Sequence, residues 1–71
     1  ASADAHNNLG VILALKADFS AAETEFKTAL SESNGNSAEA RSNLEFCRLY
    51  QRKYERNLLA KLEFSRANKR G

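Results

Sequence analysis

The chain has 71 residues and a formal net charge of +2, so it has room for one small domain. A chain of this length buries only about 60% of its unfolded surface, which leaves its stability marginal. No apolar run approaches the length of a membrane span, no signal-peptide pattern is present, and one cysteine cannot form an internal disulfide. These features leave the compartment open between cytoplasm and periplasm.

Apolar side chains at helical spacing predict two helices in the first half of the chain. One stripe runs from Ala5 to Lys16, and a second runs from Phe19 to Leu30. Between them, Asp18 or Ser20 can cap the second helix, and Glu23 lies three residues after Ser20, which is the capping-box spacing. No strand-like alternation occurs, so we predict an all-α fold.

The segment Ser31–Ala40 is the one strong break in the helical pattern. Its Asn34-Gly35 pair suits positive φ angles and predicts the end of the second helix. Asn36 or Ser37 is then expected to cap a third helix.

Two further apolar stripes follow, one around Leu44 and one beginning at Tyr54, and they predict two more helices with a turn near Arg52. Neither Gly nor Pro interrupts the chain from Ser37 to Arg70. One long helix over this range is therefore the alternative.

The two halves resemble each other at an offset of 35 residues, which aligns Ala5 with Ala40, Asn8 with Asn43, Leu9 with Leu44 and Phe19 with Tyr54. The first half carries His6-x-x-Leu9-Gly10-x-x-Leu13, Ala22-x-x-x-Phe26 and Ala29-Leu30. This spacing and a period of about 34 residues resemble the tetratricopeptide repeat family. The sequence departs from that family at His6, Leu13 and Asn34, where Trp, Tyr and Pro are common.

The resemblance implies two antiparallel helix–turn–helix hairpins, as in a fragment of an α-solenoid. Residues 1–36 would form the first hairpin, and residues 37–71 a second, divergent hairpin or a pair of capping helices. Ala60-x-x-x-Phe64-x-x-Ala67 repeats the spacing of the first hairpin at an offset of 38, which predicts that Phe64 points inward. The resemblance also implies that Gly10 and Ala22 are small because the first two helices press closely together.

Catalytic chemistry has no recognisable pattern in this sequence. His6 has no nucleophile at a useful spacing and is interpreted as a packing or surface residue, and Cys47 as a small buried hydrophobe. Phosphate loops, paired catalytic carboxylates and zinc spacings are absent from the sequence. We therefore expect a protein that is not an enzyme and that needs no cofactor and no metal.

The resemblance places a partner-binding face on the inner helices. There, Asn8 and Asn43 would hydrogen-bond a peptide backbone, the alternative being that both are simply solvated. Phe46 and Tyr50 would supply aromatic contacts, the alternative being burial against another repeat or the last helix. The predicted partner-binding residues are Asp4, Asn7, Asn8, Val11, Leu15, Glu39, Ser42, Asn43, Phe46 and Tyr50. Asn43→Ala and Tyr50→Ala are expected to weaken binding without much change in melting temperature.

Charge is unevenly distributed along the chain. Residues 1–36 carry two basic and five acidic residues, a net charge of −3, whereas residues 37–71 carry nine basic and four acidic residues, a net charge of +5. This asymmetry predicts self-association, or packing against further repeats beyond these 71 residues.

The sequence thus favours a protein–protein interaction module that holds a peptide or helix in an assembly. It loosely resembles the repeats of bacterial pilus and secretion assembly lipoproteins, which share the Asn7-Asn8-Leu9-Gly10 opening. The alternative is a basic helical module that binds nucleic acid or another anionic surface. Nucleic acid is the less favoured partner, because aromatics are not clearly interleaved with the basic residues. The basic half comprises Arg48, Arg52, Lys53, Arg56, Lys61, Arg66, Lys69 and Arg70.

Overall fold

The computed structural model describes the backbone of residues 2–70 and the side chains of residues 2–63. It contains three α-helices: α1 (Ser2–Leu15), α2 (Phe19–Glu32) and α3 (Ala38–Arg70). No strand occurs within residues 2–70, which confirms the predicted all-α class. In this range, too, no helix has both the length and the hydrophobicity needed to cross a lipid bilayer.

The turn between α1 and α2 is made by the backbone rather than by a side-chain cap. Ala17 has a φ of 62°, and Asp18 at the N-cap makes no side-chain capping bond. The predicted capping box does not form either, because Ser20 lies inside α2 and the Glu23 carboxylate bonds to Arg48 instead.

The turn between α2 and α3 forms as predicted. Asn34 and Gly35 have φ angles of 56° and 79°, and the Gly35 N–H donates to the Leu30 carbonyl over 2.7 Å. The Ser37 hydroxyl then accepts a 3.1 Å hydrogen bond from the Ala40 N–H. This satisfies one of the free donors at the start of α3, which is the role of an N-cap side chain.

Residues 38–70 form one continuous helix, so the turn predicted near Arg52 and the second hairpin are not present. The physical reason lies in the sequence around Arg52, which is rich in Leu, Gln, Arg, Lys and Glu and has no helix breaker. Gln51 also donates a 3.2 Å hydrogen bond to Glu55 one turn later, across the predicted turn. The alternative prediction, one long helix in place of two helices and a turn, is therefore the one that the structure confirms.

The core lies where α1, α2 and the first half of α3 meet. Ala22, Phe26, Leu44 and Cys47 form its buried centre, and Phe26 is only 1% exposed. Gly10 faces the Phe26 ring so closely that an added Cβ would lie 2.5 Å from Cε1 of that ring. Gly10 therefore has to be small because the Phe26 side chain of α2 fills the space against it.

Polar side chains link the helices around this core. His6 on α1 donates from Nδ1 to Glu25 on α2 over 3.0 Å. Glu23 on α2 accepts hydrogen bonds of 3.2 and 3.1 Å from Arg48 on α3, and also pairs with Lys27 at 3.2 Å. The bonds from Arg48 and then Lys27 lower the pKa of the Glu23 carboxyl.

The second half of α3 extends beyond the three-helix body. Every residue from Arg52 to Glu63 is exposed, and the longest dimension of the molecule is 56 Å. The predicted inward position of Phe64, the repeat position at Ala67 and the basic residues Arg66, Lys69 and Arg70 lie outside the described side chains.

Candidate functional site: a groove between α1 and α3

An apolar groove of about 220 Å³ runs between α1 and α3, and we call it the α1–α3 groove. The arrangement of the groove follows from the directions of the three helices. Short turns join the three helices, and the contacts from His6 to Glu25 and from Glu23 to Arg48 lie far from those turns, so α2 runs antiparallel to both neighbours and α1 and α3 run in the same direction. The groove is lined by Val11, Ala14, Leu15, Phe26, Asn43, Phe46, Cys47 and Tyr50.

The floor of the groove is buried and its walls are exposed to solvent. Phe26 and Cys47 are almost fully buried, so the floor belongs to the packed core. Leu15 on the α1 wall is 83% exposed, and Tyr50 on the α3 wall is 52% exposed. Apolar side chains that stand so far into solvent have surface to lose to a partner, and burying apolar surface stabilises a complex by roughly 25 cal/mol per Å².

Both walls are built by residues one helical turn apart. Val11 and Leu15 share one face of α1, and Phe46 and Tyr50 share one face of α3. The Phe46 and Tyr50 rings stack on each other, with centroids 6.1 Å apart and planes inclined by 19°. This stacking holds two aromatic side chains on the surface, so less rotamer entropy is lost when a partner covers them.

Asn43 closes the groove at its polar end and is held in place by Asn7. The Asn43 amide nitrogen donates a 3.0 Å hydrogen bond to the side-chain oxygen of Asn7, which is only 6% exposed. Asn7 therefore joins α1 to α3, and its amide oxygen is already used within the fold. An asparagine amide has two N–H donors and an acceptor oxygen, so Asn43 keeps donor and acceptor capacity beyond this bond.

The other residues predicted on the inner face lie beyond this polar end. Glu39 and Ser42 line a second, more polar cleft with Asn43, and Asp4 and Glu39 are both among the residues that line a third cleft near the start of α3. Asn8 is exposed and lines neither the groove nor these two clefts. The structure thus brings together Val11, Leu15, Asn43, Phe46 and Tyr50, and leaves Asn8 apart from them.

Three groove residues were not predicted as site residues: Ala14, Phe26 and Cys47. The apolar periodicity around Phe26 and Cys47 predicts that they pack in the core. It does not distinguish a core residue that also forms the floor of a groove from one that does not. The Cys47 Sγ lies 3.5 Å from the Phe19 carbonyl oxygen. Burial and then the nearby Glu23 charge raise the pKa of this thiol, which disfavours the reactive thiolate.

Comparisons with protein-family models, curated proteins and solved structures gave no match to this chain.

Proposed function

We propose that this chain is a protein–protein interaction module that holds a peptide or helix of a partner in the α1–α3 groove. The observation that carries this proposal is the pairing of a buried floor at Phe26 with solvent-exposed apolar walls. A helix with one apolar face is a common occupant of such a groove, and its affinity comes from a few apolar and aromatic anchors.

In this proposal the two ends of the groove have different roles. Phe46 and Tyr50 bury apolar surface of the partner, and Asn43 hydrogen-bonds a polar group at the other end. The role of Asn43 depends on its bond to Asn7, which fixes the amide before a partner arrives. A preorganised amide costs less entropy on binding than a mobile one.

We also propose that the first hairpin, formed by α1 and α2, is a tetratricopeptide-like helix pair. The close approach of Gly10 to Phe26 supports a tetratricopeptide-like α1–α2 pair, since the same positions carry the family spacing. We propose a non-catalytic role in an assembly complex, of which pilus or secretion assembly is one kind. The continuous α3 is a departure from a two-hairpin repeat unit.

The second candidate is binding of an anionic surface by α3, and one observation favours it. Arg52, Lys53, Arg56 and Lys61 are all exposed on the half of α3 that extends beyond the body. Exposed Tyr54, Leu58 and Leu62 on the same segment favour a protein partner instead, because phosphate binding does not require apolar surface.

The test is capture of partners from the native lysate with the immobilised chain, followed by binding assays on each captured protein. Tyr50→Ala is expected to weaken binding, while the matched control Arg56→Ala, on exposed α3 outside the groove, keeps it. Binding is expected to change little with salt concentration. Loss of binding with Arg56→Ala alone and a steep salt dependence would instead favour the anionic surface.

A further inference from the structure

The two walls of the α1–α3 groove carry the same sequence of chemical groups. On each wall a carboxylate is followed by an apolar residue seven positions later and by a second apolar residue four positions after that. We call these sets the α1 row and the α3 row. Their members are Asp4, Val11 and Leu15 on α1, and Glu39, Phe46 and Tyr50 on α3. Steps of seven and four keep the three side chains of a row within about 40° round the helix, so each row lies on one face.

The clefts of the molecule join the two rows into one surface. The four apolar members line the α1–α3 groove, and the two carboxylates line the third cleft near the start of α3. Asn43 lines both the groove and the second cleft, and Glu39 lines both the second and the third. The groove therefore continues from its apolar part into an acidic end.

The carboxylates of the acidic end are available to a partner. Asp4 and Glu39 are exposed, and neither forms an ion pair within residues 2–63. Each lies in the first turn of its helix, where it also favours the helix dipole. A cation placed between the two walls is attracted by both charges.

A basic side chain lies beyond the other end of the groove. Lys53 follows Phe46 by seven residues, so it lies about 20° from Phe46 round α3 and continues the α3 row. It is exposed and forms no ion pair within residues 2–63. Over the distance from Glu39 to Lys53, about 21 Å, a partner meets negative charge, then apolar surface, then positive charge.

We propose that the occupant of the groove is a helix of another protein that runs antiparallel to α1 and α3, with an acidic residue near its start and a basic residue near its end. The inference rests on the proposed function and adds the charge pattern and direction of the partner. In this orientation the basic side chain reaches the acidic end of the groove, and the acidic side chain reaches Lys53. The same order stabilises the partner helix itself, because carboxylates favour a helix N-terminus and cations a helix C-terminus.

The spacing of the α3 row sets the spacing of the contact residues on the partner. Steps of three, four and seven residues lead from Lys53 to Tyr50, Phe46 and Glu39. A helix that runs the other way has the same rise per residue, so its acidic, apolar, apolar and basic contact residues follow at the same steps. These four positions lie within about 60° round the partner helix.

The apolar contacts supply most of the affinity in this arrangement. Exposed ion pairs contribute little each, so the charges at the two ends mainly select the direction and the identity of the partner. This agrees with the weak dependence of binding on salt concentration that the proposed function predicts.

The test uses two alanine-based helical peptides that carry this spacing. The first has glutamate and lysine in the proposed order, and the second has the two exchanged. Calorimetric titration gives the ratio of the two dissociation constants for each protein variant, and the wild type is expected to prefer the first peptide by about tenfold. Because every variant meets the same two peptides, a difference in their own helix content cancels when variants are compared.

Variants of the acidic end are expected to reduce this preference. Asp4→Lys combined with Glu39→Lys should lower the ratio by about tenfold or more, and Glu39→Gln alone by about threefold. Glu45→Lys is the matched control and should leave the ratio unchanged, because Glu45 is exposed on α3 but lies about 120° from Glu39. Circular dichroism checks that each variant keeps its helices, and Glu39→Gln decides the question if the double variant loses them.

The positive end has a test of its own. Lys53→Glu should also lower the ratio, whereas Arg52→Glu should not, because Arg52 lies about 100° further round α3 and away from the groove. Equal effects of the two substitutions would overturn the proposed direction of the partner helix.

The outcomes separate this inference from the proposed function. If the wild type binds both peptides equally and Tyr50→Ala weakens both, the groove remains the binding site and the charge pattern is overturned. If neither peptide binds at millimolar concentration, the inference is also overturned, and the proposed function is judged on the captured proteins alone. Binding of both peptides that Tyr50→Ala leaves unchanged would overturn the proposed function and the inference together.

Discussion

A methyl group added to Gly10 would meet the ring of Phe26, since its carbon would lie 2.5 Å from Cε1 and 2.7 Å from Cδ1. Phe26 is almost fully buried, so a shift of its ring would disturb the packing of the core around it. The absence of a side chain at one helix position is therefore what lets a large aromatic residue fill the core. Glycine costs roughly 1 kcal/mol in a helix interior, and the packed ring offsets that cost.

Gly10→Ala is accordingly expected to destabilise the fold by about 1 kcal/mol or more, because overpacking outweighs the gain in helix propensity. Gly10→Leu should cost more. The measurement is chemical denaturation in the wild-type background and in a Phe26→Leu background, where the smaller side chain makes room. There Gly10→Ala should be neutral or stabilising, and an equal cost in both backgrounds would contradict the account.

Asn43→Ala is expected to lower stability as well as binding. The sequence predicted little change in melting temperature, but the substitution removes the only hydrogen bond that the structure gives to the buried Asn7 oxygen among residues 2–63. A buried acceptor left without a partner costs about 1–3 kcal/mol. Thermal melting of Asn7→Ala, Asn43→Ala and the double variant checks this, with Ser42→Ala as the exposed control. Single-variant costs that simply add would show that the two amides are not coupled.

Acid is expected to weaken the link between α2 and α3. Hydrogen bonds from Arg48 and Lys27 lower the folded-state pKa of Glu23 below its usual 4.5. Because the folded pKa is lower than the unfolded one, the link stabilises the fold above about pH 4.5 and is lost as the pH falls through the folded pKa. The contribution is small, since Arg48 is half exposed.

The measurement is the melting temperature of the wild type and of Glu23→Gln from neutral to acidic pH. The wild type should be the more stable protein at neutral pH, and the difference should disappear in acid. Glu32→Gln, at the exposed end of α2, is the control and should show no such convergence. A gap that widens in acid would contradict the assignment.

Periodicity predicted the first two helices, and local chemistry predicted the turn at Asn34-Gly35 and the cap at Ser37, because each depends on neighbours in sequence. The end of the third helix could not be predicted in this way. A stop near Arg52 required packing of the last helix back onto the body, whereas good helix formers on both sides let α3 continue.

In the site, too, features that depend on spacing along a helix could be predicted, and features that depend on packing between helices could not. Val11, Leu15, Phe46 and Tyr50 follow helical spacing, so their shared surface could be predicted. The bond between Asn7 and Asn43 joins residues 36 positions apart and depends on how α1 meets α3, which spacing alone does not determine.

The central claim is that a partner occupies the α1–α3 groove, and photo-crosslinking tests it most directly. A photoreactive phenylalanine analogue is placed at Tyr50, in the groove wall, and separately at Glu45, which is exposed and lies about 140° away round α3. After irradiation in native lysate, adducts are expected from position 50 and only background from position 45. Adducts that form as well from position 45, or only from there, would contradict the groove as the binding site.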